Sequence, residues 1–218
     1  MIPSISAALF DAIELDTNIL TPQIHLVAQV QTVATYTGLI TNADGSTKGF
    51  TLSVVPSSAE KAILIDVSAT WSVNPTFTVI ESGYVSVSVL TGGGGQKIKI
   101  SNDQGILLDN TSLRSGQVVA LVILRPGNHV LTDTTGGATC AVTVTYPSTP
   151  LPTGVVPVKL SFAPASVQTV MAPAAISVAP PQPVVITVLD GTRLTTTLQA
   201  TTDRVNGELL TKAVVRTR

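Results

Sequence analysis

Apolar and polar residues alternate with a period of two over much of the chain. From Ile63 to Val73 the set Ile63, Ile65, Val67, Ala69, Trp71 and Val73 interleaves with Leu64, Asp66, Ser68, Thr70 and Ser72. That is the pattern of a β-strand with one buried and one solvated face. Further strand-like stretches occur at Ile24–Tyr36, Gly49–Val55, Thr76–Ile80, Tyr84–Leu90, Gln96–Ser101, Gln117–Leu124 and Thr139–Tyr146. Val118–Leu124 is apolar throughout, which predicts a central strand covered on both faces. No segment carries a long 3.6-residue period. Turn chemistry punctuates the strands: Asn42-Ala-Asp-Gly-Ser46, Asn102-Asp-Gln-Gly105, Arg125-Pro-Gly-Asn128 and Thr134-Thr-Gly-Gly137. Short strands at this spacing predict an all-β, antiparallel β-sandwich of jelly-roll-like form over residues 24–147.

The flanks read differently. Residues 1–23 lack alternation and contain Pro3 and Pro22, which predicts an extended N-terminal arm, with a short helical turn near Ala7–Ala12. From Pro147 the chain becomes proline-rich, so residues 148–218 read as a stiff connector followed by a C-terminal β segment. Within it Val158–Phe162 has strand character. Val184–Leu189, Arg193–Thr201 and Glu208–Thr217 are separated by Asp190-Gly191 and Asn206-Gly207, the signature of a small β-meander.

Composition narrows the function classes. Of 218 residues only 11% are charged, against about 25% in an ordinary soluble domain. Hydrophobic residues make up 44%, aromatics 4%, and mean hydropathy is +0.43. The apolar content is therefore mainly Val, Ala, Leu and Ile, which is not the composition of a disordered chain. A net charge of −1 without a basic cluster argues against nucleic-acid binding. No run of about 18 apolar residues spans a membrane as a helix. The start Met-Ile-Pro-Ser-Ile-Ser has neither the basic residues nor the unbroken apolar core of a signal peptide, so synthesis in a cytoplasm is expected. The lone Cys140 alternates with Val142 and Val144 and reads as a small buried side chain.

Candidate chemistry is sparse. His25 and His129 are far apart, and His129 follows Pro126-Gly-Asn128, which suggests a turn. The four glutamates, Glu14, Glu60, Glu81 and Glu208, show no paired-carboxylate spacing. Gly92-Gly-Gly-Gly-Gln-Lys97 resembles a phosphate loop, but Gln96 precedes the lysine, Ile98 follows it, and no helix is predicted next; a flexible hairpin loop is the better reading. Asn42, Asp44 and Ser46 are spaced like the start of a calcium loop without its closing acid. Asn110-Thr-Ser112 matches a glycosylation sequon. Trp71, with Tyr84, is a possible sugar platform, but its strand face makes it a core anchor. No residue is assigned to catalysis, to a cofactor or to a metal.

Charge is unevenly placed. Asp11, Glu14, Asp16 and Asp44 precede the first basic residue, Lys48, whereas Arg193, Arg204, Lys212, Arg216 and Arg218 dominate the far end. An acidic arm and a basic tail of this kind are candidates for head-to-tail docking between copies. Taken together, the expectation is a non-enzymatic structural subunit of a virion, in a bacteriophage-like capsid-decoration, minor-capsid or tail position. Its expected partners are identical subunits and other virion structural proteins, with no nucleic acid, membrane or small-molecule substrate. The composition is similar to that of virion β-proteins in general, and no motif ties the chain to a family. The alternatives are an extracellular appendage or filament subunit and a carbohydrate- or receptor-binding β-sandwich module.

Overall fold

A computed structural model of the chain describes residues 14–146, 156–164, 169–201, 204–205 and 208–209. These residues are all-β and contain no helix. The strands are β1 (Glu14–Asp16), β2 (Ile24–Gln29), β3 (Thr35–Thr41), β4 (Thr47–Val55), β5 (Glu60–Asp66), β6 (Thr76–Ser88), β7 (Lys97–Asn102), β8 (Gly105–Asp109), β9 (Val118–Leu121), β10 (Gly127–Asp133), β11 (Thr139–Val144), β12 (Val158–Pro164), β13 (Thr169–Ala172), β14 (Ala175–Val178), β15 (Val184–Thr187), β16 (Leu194–Thr201), β17 (Arg204–Val205) and β18 (Glu208–Leu209). The helical turn expected near residues 7–12 and the connector over 147–155 lie outside the described residues.

Two sheets carry the fold. The larger has 11 strands in the order β13-β12-β15-β9-β2-β6-β4-β3-β7-β8, with β5 also paired to β6. The smaller has five, ordered β1-β16-β10-β11-β14. Their inner faces share one contiguous apolar core. Leu26, Val87, Val119 and Ile186 come from the large sheet, and Leu15, Leu131, Val142 and Leu194 from the small one. Burying these branched side chains, each contributing roughly 1.5–3 kcal/mol, is what holds the sheets together.

The structure departs from a wholly antiparallel sandwich. The pairs β4·β6, β5·β6, β11·β14 and β12·β15 are parallel. Parallel neighbours need a crossover. For β11·β14 the chain supplies it by leaving one sheet and returning: β12 and β13, in the large sheet, separate β11 from β14 in the small one. The expected terminal meander is also different. β15 lies in the large sheet between β9 and β12, while β16 lies in the small sheet between β10 and β1. At Asp190-Gly191 the chain does not fold back as a two-residue hairpin. Gly191 N–H donates to Leu113 O (2.8 Å), Ser115 N–H donates to the Asp190 carboxylate (2.9 Å), and the chain passes across to the other sheet. Arg204–Val205 and Glu208–Leu209 pair with each other, and the rest of the expected strand Glu208–Thr217 lies outside the described residues.

Other expectations hold in whole or in part. Asn42–Ser46 is a turn, but the strand it closes against β4 is β3; the expected strand Ile24–Tyr36 is split, and Ile24–Gln29 pairs instead with β6 and β9. β9 sits inside the large sheet, although it stops at Leu121 and only one of its faces is covered, Val118 and Ala120 being half-buried on the other. Cys140, Val142 and Val144 alternate inward on β11. The strand from Ile63 is shorter than its alternation suggests: it stops at Asp66, whose carboxylate turns back to accept the Ser68 N–H (2.9 Å), and Val73 is 76% exposed.

The long strand β6 changes neighbours at its middle. Its first half pairs with β4, and Tyr84–Ser88 pairs with β5 and β2. The switch occurs at Ser82, whose φ of 62° is in the left-handed region, and at Gly83. Ser82 and Gly83 exchange hydrogen bonds with Val30 (2.9 and 3.0 Å). A Cβ on Gly83 would lie 2.7 Å from Ile80 O and 2.8 Å from Lys61 O, both backbone atoms that cannot yield alone. Gly83→Ala is therefore expected to destabilise the fold by about 2–3 kcal/mol through overpacking. Gly45→Ala, in an open turn at φ 83° with nothing near its Cβ, should cost about 1 kcal/mol. Paired denaturant titrations check the contrast.

Candidate functional site

The outer face of the large sheet is the feature that ordinary solvent exposure does not explain. Paired strands carry directly opposed residues on the same face. One row therefore runs Leu64, Ser86, Val27, Val118, Thr187, Ser161 across β5, β6, β2, β9, β15 and β12. It contains no charge. The neighbouring row runs Asp66, Ser88, His25, Ala120, Val185, Lys159, with an acid at one end and a base at the other. Val27, Val118, Ala120 and Val185 are half-buried, and Leu64 and Tyr84 are exposed. A sheet face turned to water ordinarily alternates charged or strongly polar residues into these positions. On the small sheet Thr139, Thr143 and Thr197 are exposed on the outer face, whose charges, Glu14 and Asp16, stand on the edge strand β1.

Within the second row His25 Nδ1 lies 2.8 Å from Ser88 Oγ. Aspartate, serine and histidine on three adjacent strands resemble a nucleophilic relay only in composition. Ser88 is 1% exposed. Asp66 flanks the serine from the side away from the histidine, and its carboxylate accepts from Ser68 N–H, Ser68 O–H and Leu90 N–H. A relay needs the carboxylate on the histidine and an accessible hydroxyl. Burial would raise the Asp66 pKa, but the bonds from Ser68 and Leu90 and the nearby Lys48 hold it below the ordinary range. Burial alone lowers that of His25.

His129 is not in a turn. It lies inside β10, 3% exposed, where a register shift between Asn128 and His129 marks an irregularity in the pairing with β16. Its Nε2 is 2.9 Å from Arg125 O. A carbonyl only accepts, so Nε2 carries the proton, and Nδ1 is a buried acceptor without a hydrogen bond. Burial, outweighing the bond to Arg125 O, keeps the imidazole below its usual pKa, and the Arg125 charge adds to this. The two histidines thus sit in different sheets. The glutamates are on β1, β5, β6 and β18.

The remaining candidates resolve into structure. Gly92–Gly95 joins β6 to β7, which are not neighbours, so it is a crossing and not a hairpin loop. Its last two glycines pack closely: a Cβ on Gly94 would meet Leu20 O at 2.5 Å, and Gly95 N–H donates to Leu20 O at 2.8 Å. Asn42, Asp44 and Ser46 bond to one another, with Asp44 Oδ1 accepting both the N–H (2.9 Å) and the O–H (2.6 Å) of Ser46. Asn110 is wholly buried. Its Oδ1 accepts Ile98 N–H (2.7 Å) and its Nδ2 donates to Thr17 O (2.9 Å), so the sequon presents no free amide. Trp71 stacks edge-on with Phe50 and Phe77 and carries Lys48 Nζ over its ring at 4.8 Å, which takes the surface a sugar would need. Cys140 is buried, and burial raises its thiol pKa. Among the described residues no three His, Cys, Asp or Glu side chains group as metal ligands.

Asp16 and Arg193, candidates for pairing between copies, pair inside one chain. Arg193 donates through Nε (3.1 Å) and Nη2 (2.5 Å) to the two carboxylate oxygens of Asp16. Burial of Asp16 would raise its pKa, but Arg193, the Asn18 N–H and Lys97 lower it. Asp11, Lys212, Arg216 and Arg218 lie outside the described residues. Comparison of the chain with protein-family models, with curated proteins and with solved structures finds no match.

Sequence reasoning did not single out Val27, Val118, Ala120 and Val185 as a surface. The signal was present, since both faces of Ile24–Val30 and Val118–Leu124 are largely uncharged. Two outcomes follow. The folded pKa values of both histidines lie below the unfolded value of about 6.5. Stability is therefore complete above that pH and falls as pH drops below it, because the unfolded chain takes up protons that the folded chain refuses. Each histidine contributes a slope of at most about 1.4 kcal/mol per pH unit. His129→Gln should flatten the decline between pH 6.5 and 5, measured by denaturant unfolding at each pH. Asn110→Ala should cost about 2–4 kcal/mol by leaving Ile98 N–H and Thr17 O unpaired in the interior, read as a lowered unfolding midpoint.

Proposed function

We propose that this chain is a non-enzymatic structural subunit of a virion, made in the host cytoplasm and assembled with copies of itself and with other structural proteins in a capsid-decoration, minor-capsid or tail position. The observation that carries the reading is the outer face of β5-β6-β2-β9-β15-β12, half-buried and apolar at its centre, with Asp66 at its β5 end and Lys159 at its β12 end. Covering such a face removes few charges from water, so a repeated contact has a small electrostatic cost. In this reading the two sheets act as a sandwich of the jelly-roll kind, a wall with one broad face toward a neighbour. The edges of β8 and β13 at the ends of the large sheet, which pair with no further strand among the described residues, offer main-chain hydrogen bonds to an added strand.

Antibody labelling of native particles from the source, viewed by electron microscopy, tests the proposal. The expected result is label repeating on a particle lattice or along a tail. Label confined to soluble cell extract, together with a compact monomer at every concentration, would overturn it.

A further inference from the structure

Resting on the reading as an assembling subunit, we propose that the outer face of β5-β6-β2-β9-β15-β12 is a two-fold contact between two copies of this chain. The axis runs parallel to the strands, between β2 and β9. Six strands at about 4.8 Å spacing give a face roughly 24 Å wide, and its middle is built from short branched side chains that a second sheet can approach to about 10 Å.

The register selects both the occupant and the axis. Asp66 stands at the β5 end and Lys159 at the β12 end of the same row. Rotation about an axis along the strands reverses strand order and keeps the position along each strand. It brings Asp66 toward Lys159 of the second copy, and by symmetry does so twice. The same rotation sets Val27 against Val118 of the second copy, at the centre of the contact. An in-plane axis perpendicular to the strands would instead keep each end of the row on its own kind, acid toward acid and lysine toward lysine. The face is thus self-complementary in one orientation, which an unlike partner would not require.

Sedimentation equilibrium of the full chain over a wide concentration range tests the contact. The expected result is a dimer or a larger assembly that contains it. Val118→Glu, which places carboxylates at the centre, should weaken self-association at least 100-fold while leaving circular dichroism unchanged. Lys159→Glu alters an exposed residue, so it keeps the test open if the first variant misfolds; loss of two partly solvated ion pairs should weaken association about tenfold. That penalty should shrink in an Asp66→Asn background, because the coupling crosses between copies. Self-association indifferent to Val118→Glu and Lys159→Glu overturns this face and leaves the assembling-subunit reading standing. A monomer at every concentration overturns the two-fold contact outright, whether residues 1–13 of the same chain or an unlike protein then covers the face.

Discussion

Both sheets depend on backbone hydrogen bonds to strands that arrive late in the chain. A buried N–H or C=O without a partner is costly, so a central strand must find a neighbour on each side. β9 finds one in β2 and the other in β15, and β10 finds its neighbours in β11 and β16. The start of the described chain is held the same way. Thr17 N–H donates to Leu194 O (2.9 Å), Leu194 N–H donates to Thr17 Oγ1 (3.0 Å), and Leu15 N–H donates to Thr196 Oγ1 (3.1 Å). Neither sheet is complete until residues 184–201 are in place. Such long-range pairing implies slow folding, because loops of more than 150 residues close before these contacts form.

That constraint explains where the polar groups go. Buried Asn110, Gln117 and Asp133 each tie backbone groups at a point where the chain enters or leaves a strand. Asp133 caps the Thr134–Gly137 turn, and Gln117 holds Arg114 N–H and Leu107 O. These are positioning bonds, worth roughly 1 kcal/mol each when made and more when broken. The few charges are spent similarly: Asp16 clamps Arg193, and Asp66 closes a turn. Between Asp66 and Lys159 the row Ser88, His25, Ala120, Val185 on the outer face of β5-β6-β2-β9-β15-β12 holds no carboxylate, lysine or arginine.

The candidate chemistry shrank for the same reason. Glycines, asparagines and an aspartate–serine–histidine row that look like site material in isolation are occupied by turns, crossings and cross-strand bonds. The face that the proposals rest on is made of residues with no chemistry of their own. It becomes visible only when strand register aligns them.

The sequence by itself determined the all-β character, the turn at Asn42–Ser46, the interior place of Val118–Leu121 in its sheet and the buried Cys140. Each follows from period-two alternation, turn residues or composition, which act within about ten residues. Tertiary structure decided the neighbours: the parallel pairs, the parting of β15 from β16, the inward turn of His129 and the closure of Asp16 on Arg193 inside one chain. None of these is local. Strands carry no label for their partners. Pairing is chosen by which arrangement buries both inner faces in one core and satisfies every backbone group at once. An Asp-Gly pair marks a turn wherever it stands, but only the open edge of β10 decided that the strand after it would cross to the other sheet.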